Sequence, residues 1–130
     1  MKATALVMAG KRSGMLDPLA ARAGVSQKSV VPVAGKPMIE HVIAALADCD
    51  RVGAIHVVAH ESDEIAAIPL VARLQAEGRL HFRAGAFNLV DSVFSGAEGA
   101  DYPLLITTSD NCLVTPEGYA EFVDKATAAQ

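Results

Sequence analysis

The chain has 130 residues, 52% of them apolar, with a net charge of -4 and a pI near 5.5. That length and apolar share suit one domain, residues 1–130, with a sizeable buried core. The acidic balance argues against a nucleic-acid partner or an anionic membrane surface, either of which favours a basic face.

The amino-terminal apolar run is interrupted by Lys11 and Arg12 and is far too short to span a bilayer, so it reads as a strand rather than a signal peptide. Cys49 and Cys112 lie far apart, which gives neither a metal or redox CxxC pair nor a disulfide framework. A cytoplasmic location is expected.

Taken in chain order, Ala3 to Met8 is the first strand-length apolar run, and Pro37 to Leu46 reads as a helix with proline in its first turn. Ala54 to Ala59 is a second strand. A helix is expected over Asp63 to Ala76, closed by Gly78, with Pro69 as a point of kinking or division. Leu80 to Phe82 is a third strand and Asn88 to Gly96 a helix, with Asn88 and Asp91 in capping-box spacing. Leu104 to Thr107 is a fourth strand, and Thr115 caps a helix from Pro116 to Ala126.

The runs are mostly continuous rather than alternating, which predicts strands buried on both faces. Strands alternating with helices imply an α/β fold, a Rossmann-like doubly wound parallel sheet with helices on both sides. Ligands bind such sheets beyond the carboxyl ends of the strands, where strand order reverses. The order 3-2-1-4 brings the turn after the first strand beside Asp110, which follows the fourth.

That first turn, Gly10-Lys11-Arg12-Ser13, combines small residues with two cations at a strand end, and the irregular stretch from Gly10 to Val30 is the longest connection in the chain. Free backbone N–H groups and cationic side chains in one place suit a nucleoside triphosphate tail. Long connections in compact domains are usually functional. A solvated surface loop is the plainer alternative.

The ordered set Ala5-Leu-Val-Met-Ala-Gly-Lys-Arg-Ser-Gly-Met-Leu16, Lys28 within Gln27-Lys-Ser-Val-Val-Pro-Val33, and Pro32-Val-Ala-Gly-Lys-Pro-Met-Ile-Glu-His41 opens a resemblance. Asp91-Ser-Val93 with Gly96, and Thr108-Ser-Asp110 followed by Thr115-Pro-Glu117, continue it in order. Together they resemble nucleotidyltransferases of the molybdenum-cofactor guanylyltransferase, sugar-nucleotide and cytidylyltransferase type, with a glycosyltransferase-A-like core. The resemblance covers most of the chain.

The resemblance implies an enzyme that binds an NTP with Mg²⁺ and transfers NMP to a phosphorylated or alcohol acceptor, releasing pyrophosphate. It assigns Ala9, Gly10, Lys11, Arg12 and Ser13 to the triphosphate turn, and Arg12 and Lys28 to catalysis by charge stabilisation. Gly85, Asn88 and Ser92 correspond to the segment lining the base pocket, where small residues admit a flat base; Asn88 as a plain helix cap explains the same pattern. Asp110 corresponds to the Mg²⁺ ligand, with a chain-turning Asp110-Asn111 pair as the alternative.

The sequence departs from the family at Lys11, where a second glycine is usual, and at Met15, where an arginine is usual. Methionine cannot donate to phosphate. The chain is expected to be an N-terminal portion, ending before later strands that carry a second metal carboxylate and most of the acceptor pocket. A nucleotide-binding or degenerate module without turnover, completed by or regulating a partner, is therefore an alternative, as is an unrelated small-molecule site on the same fold. A homodimer is compatible with this reading. Among the histidines, His41, His56 and His81 suit core or surface roles, while His60 with Glu61 ends the second strand on the ligand edge. Cys112 is expected as a small buried apolar residue.

Overall fold

The computed structural model describes residues 2–9, 30–59, 63–85, 89–100, 103–109 and 111–128. Strand β1 (Ala3–Met8) is buried at every position, as its unbroken apolar run requires. It is joined in a four-stranded sheet by β4 (Val52–Ala59), β5 (Leu80–Ala84) and β6 (Leu104–Thr108), in the order β5-β4-β1-β6. All three pairings are parallel, with Met8 opposite Val58 on one side and Thr108 on the other. In terms of the four sequence-predicted strands this is the expected order 3-2-1-4.

The side chains of β1 alternate between two cores. Ala3, Ala5 and Val7 enter the larger one with Ile55, Val57 and Leu80. Helix α1 (Met38–Ala47) closes that core with Ile39, Val42, Ile43 and Leu46, each fully buried, at the i, i+3, i+4, i+7 spacing of one helix face. Burying side chains of this size contributes about 1.5 to 3 kcal/mol each. Leu6 and Met8 point to the other face and meet Val58, with Val93 and Ala97 packed against them.

The helix expected over Asp63 to Ala76 is divided into α2 (Asp63–Ala66) and α3 (Pro69–Ala76). Proline supplies no N–H to continue the first helix, but its fixed φ suits a helix start, and Ile68 before it is extended at ψ 125°. Val71 and Leu74 of α3 are buried in the larger core. Helix α4 (Leu89–Ala97) carries Val93 and Ala97 onto the opposite face of the sheet. Helix α5 (Pro116–Ala128) returns to the first face through Tyr119 and Val123, and Thr115 caps it by accepting the Gly118 N–H at 3.0 Å.

A small antiparallel hairpin, β2 (Pro32–Val33) and β3 (Lys36–Pro37), precedes α1. Its turn places Ala34 and Gly35 at φ 51° and 83°, the mirror-image turn that matches strand twist. Pro37 is consequently the last strand residue and N-cap of α1 rather than part of its first turn. β4 starts at Val52, ahead of Gly53, and β5 runs on through Arg83 to Ala84.

The expectation of strands buried on both faces holds for β1 and fails at the sheet edges. β5 is only partly buried, and β6 alternates, with Leu105 and Thr107 buried while Ile106 is 49% exposed. α4 covers β1 and β4 and leaves the Ile106 side of β6 open. Among the described residues no helix is long and apolar enough to cross a membrane.

Candidate functional site

The carboxyl ends of the strands end side by side, held by main-chain bonds. The Ala9 N–H donates to Val58 O at 2.8 Å, Gly85 N–H to Ala59 O at 3.2 Å, and Ser109 N–H to Met8 O at 3.1 Å. β1 and β6 are therefore in register to their last residues, and the segments that follow them depart from adjacent points. Strand order reverses between these two strands: the sheet grows from β1 through β4 to β5, then resumes at β6 on the other side. This is the crevice at which open α/β sheets bind ligands.

Of the residues singled out in the sequence, Ala9 is buried behind β1, Gly85 is half-buried behind β5, and Ser92 is buried on α4. Gly10, Lys11, Arg12, Ser13, Lys28, Asn88 and Asp110 lie outside the described residues, as do Met15, His60 and Glu61. The ends of the long connection are nevertheless fixed. Ala9 and Val30 are both buried in the larger core, and Val31 O accepts the N–H of Met38, the first residue of α1. His41 Nε2 donates to Val33 O at 2.6 Å, tying the hairpin to the same helix.

On the other face, α4 lies close to the sheet because Gly96 has no side chain. A Cβ there would come within 2.5 Å of Val58 Cγ2. His56, buried in β4, donates from Nδ1 to Gly96 O at 2.8 Å and meets the ring of His81 edge-on at 5.6 Å. Ser95 Oγ donates to Ala84 O at 2.9 Å. These bonds fix α4, and with it Ser92, relative to the carboxyl edge; His56 has the core role expected of it.

Beyond β6 the turn is anchored by Asn111, read in the sequence only as part of a chain-turning pair, and by Thr107 and Tyr119, which the sequence did not single out. Asn111 Nδ2 donates to Thr107 Oγ1 at 2.9 Å, and Thr107 Oγ1 lies 3.2 Å from Tyr119 OH. Burial holds the Tyr119 phenol above its ordinary value of 10.0, partly offset by the bond to Thr107. Cys112, expected buried, is partly exposed in this turn, while Cys49 is buried and both thiols are free; a turn outside the sheet offers it no core to enter. No group of three or more His, Cys, Asp or Glu residues able to hold a metal occurs among the described residues.

A parallel sheet whose strands β1 and β6 end side by side at its switch point agrees with a comparison to known sequences, in which the MobA-like NTP transferase domain family matches residues 5–130. The chain belongs to that family. No curated protein matches it.

As a MobA-like NTP transferase domain, the chain is similar to a hypothetical transferase from Thermus thermophilus at 26% identity and TM-score 0.72, covering 97% of this chain and 47% of that one. A CMP:2-keto-3-deoxy-manno-octonic acid synthetase complexed with CTP shares the fold at 17% identity and TM-score 0.67, over 98% and 48% of the two chains. So does the 4-diphosphocytidyl-2C-methyl-D-erythritol synthase of Anaerococcus prevotii, at 15% identity and TM-score 0.68, over 96% and 50%. The chain thus spans about half the length of these solved structures.

Proposed function

We propose that this NTP transferase domain binds a nucleoside triphosphate with Mg²⁺ across the carboxyl ends of β1 and β6 and transfers NMP to a phosphorylated or alcohol acceptor. The observation that supports it most is the pairing of Met8 with Thr108 and the Ser109 N–H bond to Met8 O, because the triphosphate turn and the segment bearing Asp110 then leave from neighbouring points. The acceptor oxygen attacks the α-phosphorus in line, its proton passes to solvent, and the bond to the bridging oxygen of pyrophosphate breaks. In this reading Gly10 to Ser13 wrap the triphosphate, and Arg12 and Lys28 stabilise the charge that develops. Gly85, Asn88 and Ser92 flank the base.

Asp110 would hold Mg²⁺, which supplies neutralisation of the phosphate charge. The chemistry of the neighbouring side chains fits a hard cation, since Thr108, Ser109 and Asn111 all bear oxygen, and one carboxylate with phosphate oxygens and water suffices for Mg²⁺.

A thermal-shift panel of the four NTPs, with and without Mg²⁺, tests the reading. At least one NTP raises the melting temperature, more so with Mg²⁺, since a ligand selective for the folded state stabilises it. Four flat responses would overturn nucleotide binding. A second reading, a nucleotide-binding module without turnover of its own, is favoured by Met15 standing where the family usually has an arginine. The same panel would then be positive while pyrophosphate release stays absent.

A further inference from the structure

We propose that His56 and Gly96 are positioning residues for nucleotide selection: together they set the height of α4 above the sheet, and so the room left for a base at the carboxyl edge. The inference rests on the reading of Gly85 and Ser92 as flanking the base. Two bonds show how α4 runs. Ser95 Oγ donates to O of Ala84, the last residue of β5, at 2.9 Å, and farther along the helix Glu98 O accepts from Arg83 Nη2 at 3.1 Å. The helix therefore travels back along the strand. Ser92, three residues before Ser95, stands about 4.5 Å farther out, past the end of β5 where Gly85 follows.

Apolar packing alone would hold α4 loosely. Val93 and Ala97 rest on Leu6, Met8 and Val58, while Phe94 is turned outward and 72% exposed. Burial of this kind is non-directional, so a helix can slide or lift on it at small cost. A hydrogen bond instead holds its two heavy atoms at about 2.7 to 3.2 Å.

Neither residue is the one that stability alone would favour. An apolar side chain of similar size at position 56 would fill the same space with no polar atom to satisfy, whereas a buried imidazole must find a partner. His56 finds Gly96 O at 2.8 Å, and the ring of His81 meets it edge-on at 5.6 Å. Gly96 lies within α4 and outside the positive-φ region, so the backbone there does not call for glycine, which is disfavoured in a helix against alanine. What glycine permits is approach, since a Cβ would lie 2.5 Å from Val58 Cγ2. The missing side chain allows the short distance and the imidazole fixes it, on the same turn of α4.

A change of height passes along the helix to its first turn, where Ser92 sits. Selection between bases is then lost before phosphate binding is, because the triphosphate is read as belonging to a different segment, the turn after β1. The test measures the affinity of the 130-residue protein for ATP, GTP, CTP and UTP by calorimetric titration with Mg²⁺ present. A variant that is merely less stable weakens all four by one factor, its folded fraction, so the ratio of tightest to weakest does not respond to stability. That ratio is expected to fall about 10-fold in His56→Leu and in Gly96→Ala, and to return in His56→Asn, whose amide nitrogen takes the place of Nδ1.

Uniform weakening of all four NTPs in His56→Leu and Gly96→Ala would overturn the positioning role, as would His56→Asn behaving like His56→Leu, or a parent that binds all four alike. Amide hydrogen exchange over α4, which needs no nucleotide, is expected to quicken relative to β1 in His56→Leu; unchanged exchange would also overturn the role. Ser92→Val separates this inference from the reading beneath it. Unchanged affinities in Ser92→Val, or no binding of any NTP by the parent, overturn the base reading and the selection inference with it. An effect of Ser92→Val beside uniform effects of the other two variants overturns positioning alone.

Discussion

Nδ1 of His56 donates to the carbonyl oxygen of Gly96 at 2.8 Å, bonding the middle of β4 to the last turn of α4. The bond satisfies a buried imidazole and, at the same time, one of the carbonyls that a helix end leaves without an intrahelical partner. It forms only because α4 approaches the sheet closely, and the approach is set by the glycine itself. Side chain and backbone at one contact thus determine how near α4, and Ser92 upon it, lies to the carboxyl edge.

Gly96→Ala is expected to destabilise the domain. The new methyl would sit 2.5 Å from Val58 Cγ2 and 3.2 Å from Leu6 Cδ2. Both partners are fully buried in the smaller core and have no free volume to move into. Over-packing of this kind costs about 1 to 3 kcal/mol, read as a lower urea midpoint at unchanged m-value. An unchanged midpoint would mean that α4 lifts off the sheet freely.

How far the sequence revealed this molecule depended on burial. β1 lies between two cores, so its apolar run marks it from end to end, and the position of Ala9 and Gly85 at strand ends follows from the parallel-sheet rule. The start of β4 was hidden because Gly53 interrupts the apolar run, and Arg83 masked the end of β5, where an edge strand tolerates a long polar side chain. The hairpin around Ala34 and Gly35 has strands of two residues each, too short for any period to register. Asn111 was marked only as part of a chain-turning pair; it joins Thr107 and Tyr119 only when α5 folds back onto β6, so neither composition nor spacing marked those two.

Tyr119 should give the protein an alkaline limit. Its folded pKa is raised, burial being the main cause. An acid whose folded pKa lies above its unfolded value is neutral in both states below about pH 10 and costs nothing there. Above that pH the unfolded chain loses the proton more readily, so stability falls as pH rises. Urea midpoints of the parent should therefore drop more steeply than those of Tyr119→Phe between pH 9 and about 11. Parallel curves would show that the phenol titrates equally in both states.

Among the described residues, the outer edge of β6 presents apolar surface open to association. Ile106 is 49% exposed on one side of the strand and Phe122 61% on the other, and both line one shallow cleft with Val114. The strand Leu-Leu-Ile-Thr-Thr contains no charge or proline to discourage pairing. Ile106→Lys is expected to reduce dye binding by 1-anilinonaphthalene-8-sulfonate and any concentration-dependent sedimentation. Stability should stay within about 0.5 kcal/mol of the parent, as for other exposed substitutions. Unchanged dye binding would place the accessible apolar surface elsewhere, for example at Phe94, which is 72% exposed.

The last prediction concerns turnover. Met15 stands where the family usually supplies an arginine, and a thioether cannot donate to a phosphate oxygen, so on the proposed reading charge developing at the transferred phosphorus would be under-neutralised. Losing one such donor commonly costs about 10²-fold or more in rate. The 130-residue chain is therefore expected to release pyrophosphate slowly or not at all from any of the four NTPs, with phosphosugar and polyol-phosphate acceptors present. Met15→Arg should raise the rate about 10²-fold, and Arg12→Ala should abolish what remains. Turnover by the parent at about 1 s⁻¹ or faster, within the ordinary enzyme range, would contradict the expectation. A sharp loss of that turnover in Arg12→Ala would then show that Arg12 already does the work of the missing arginine.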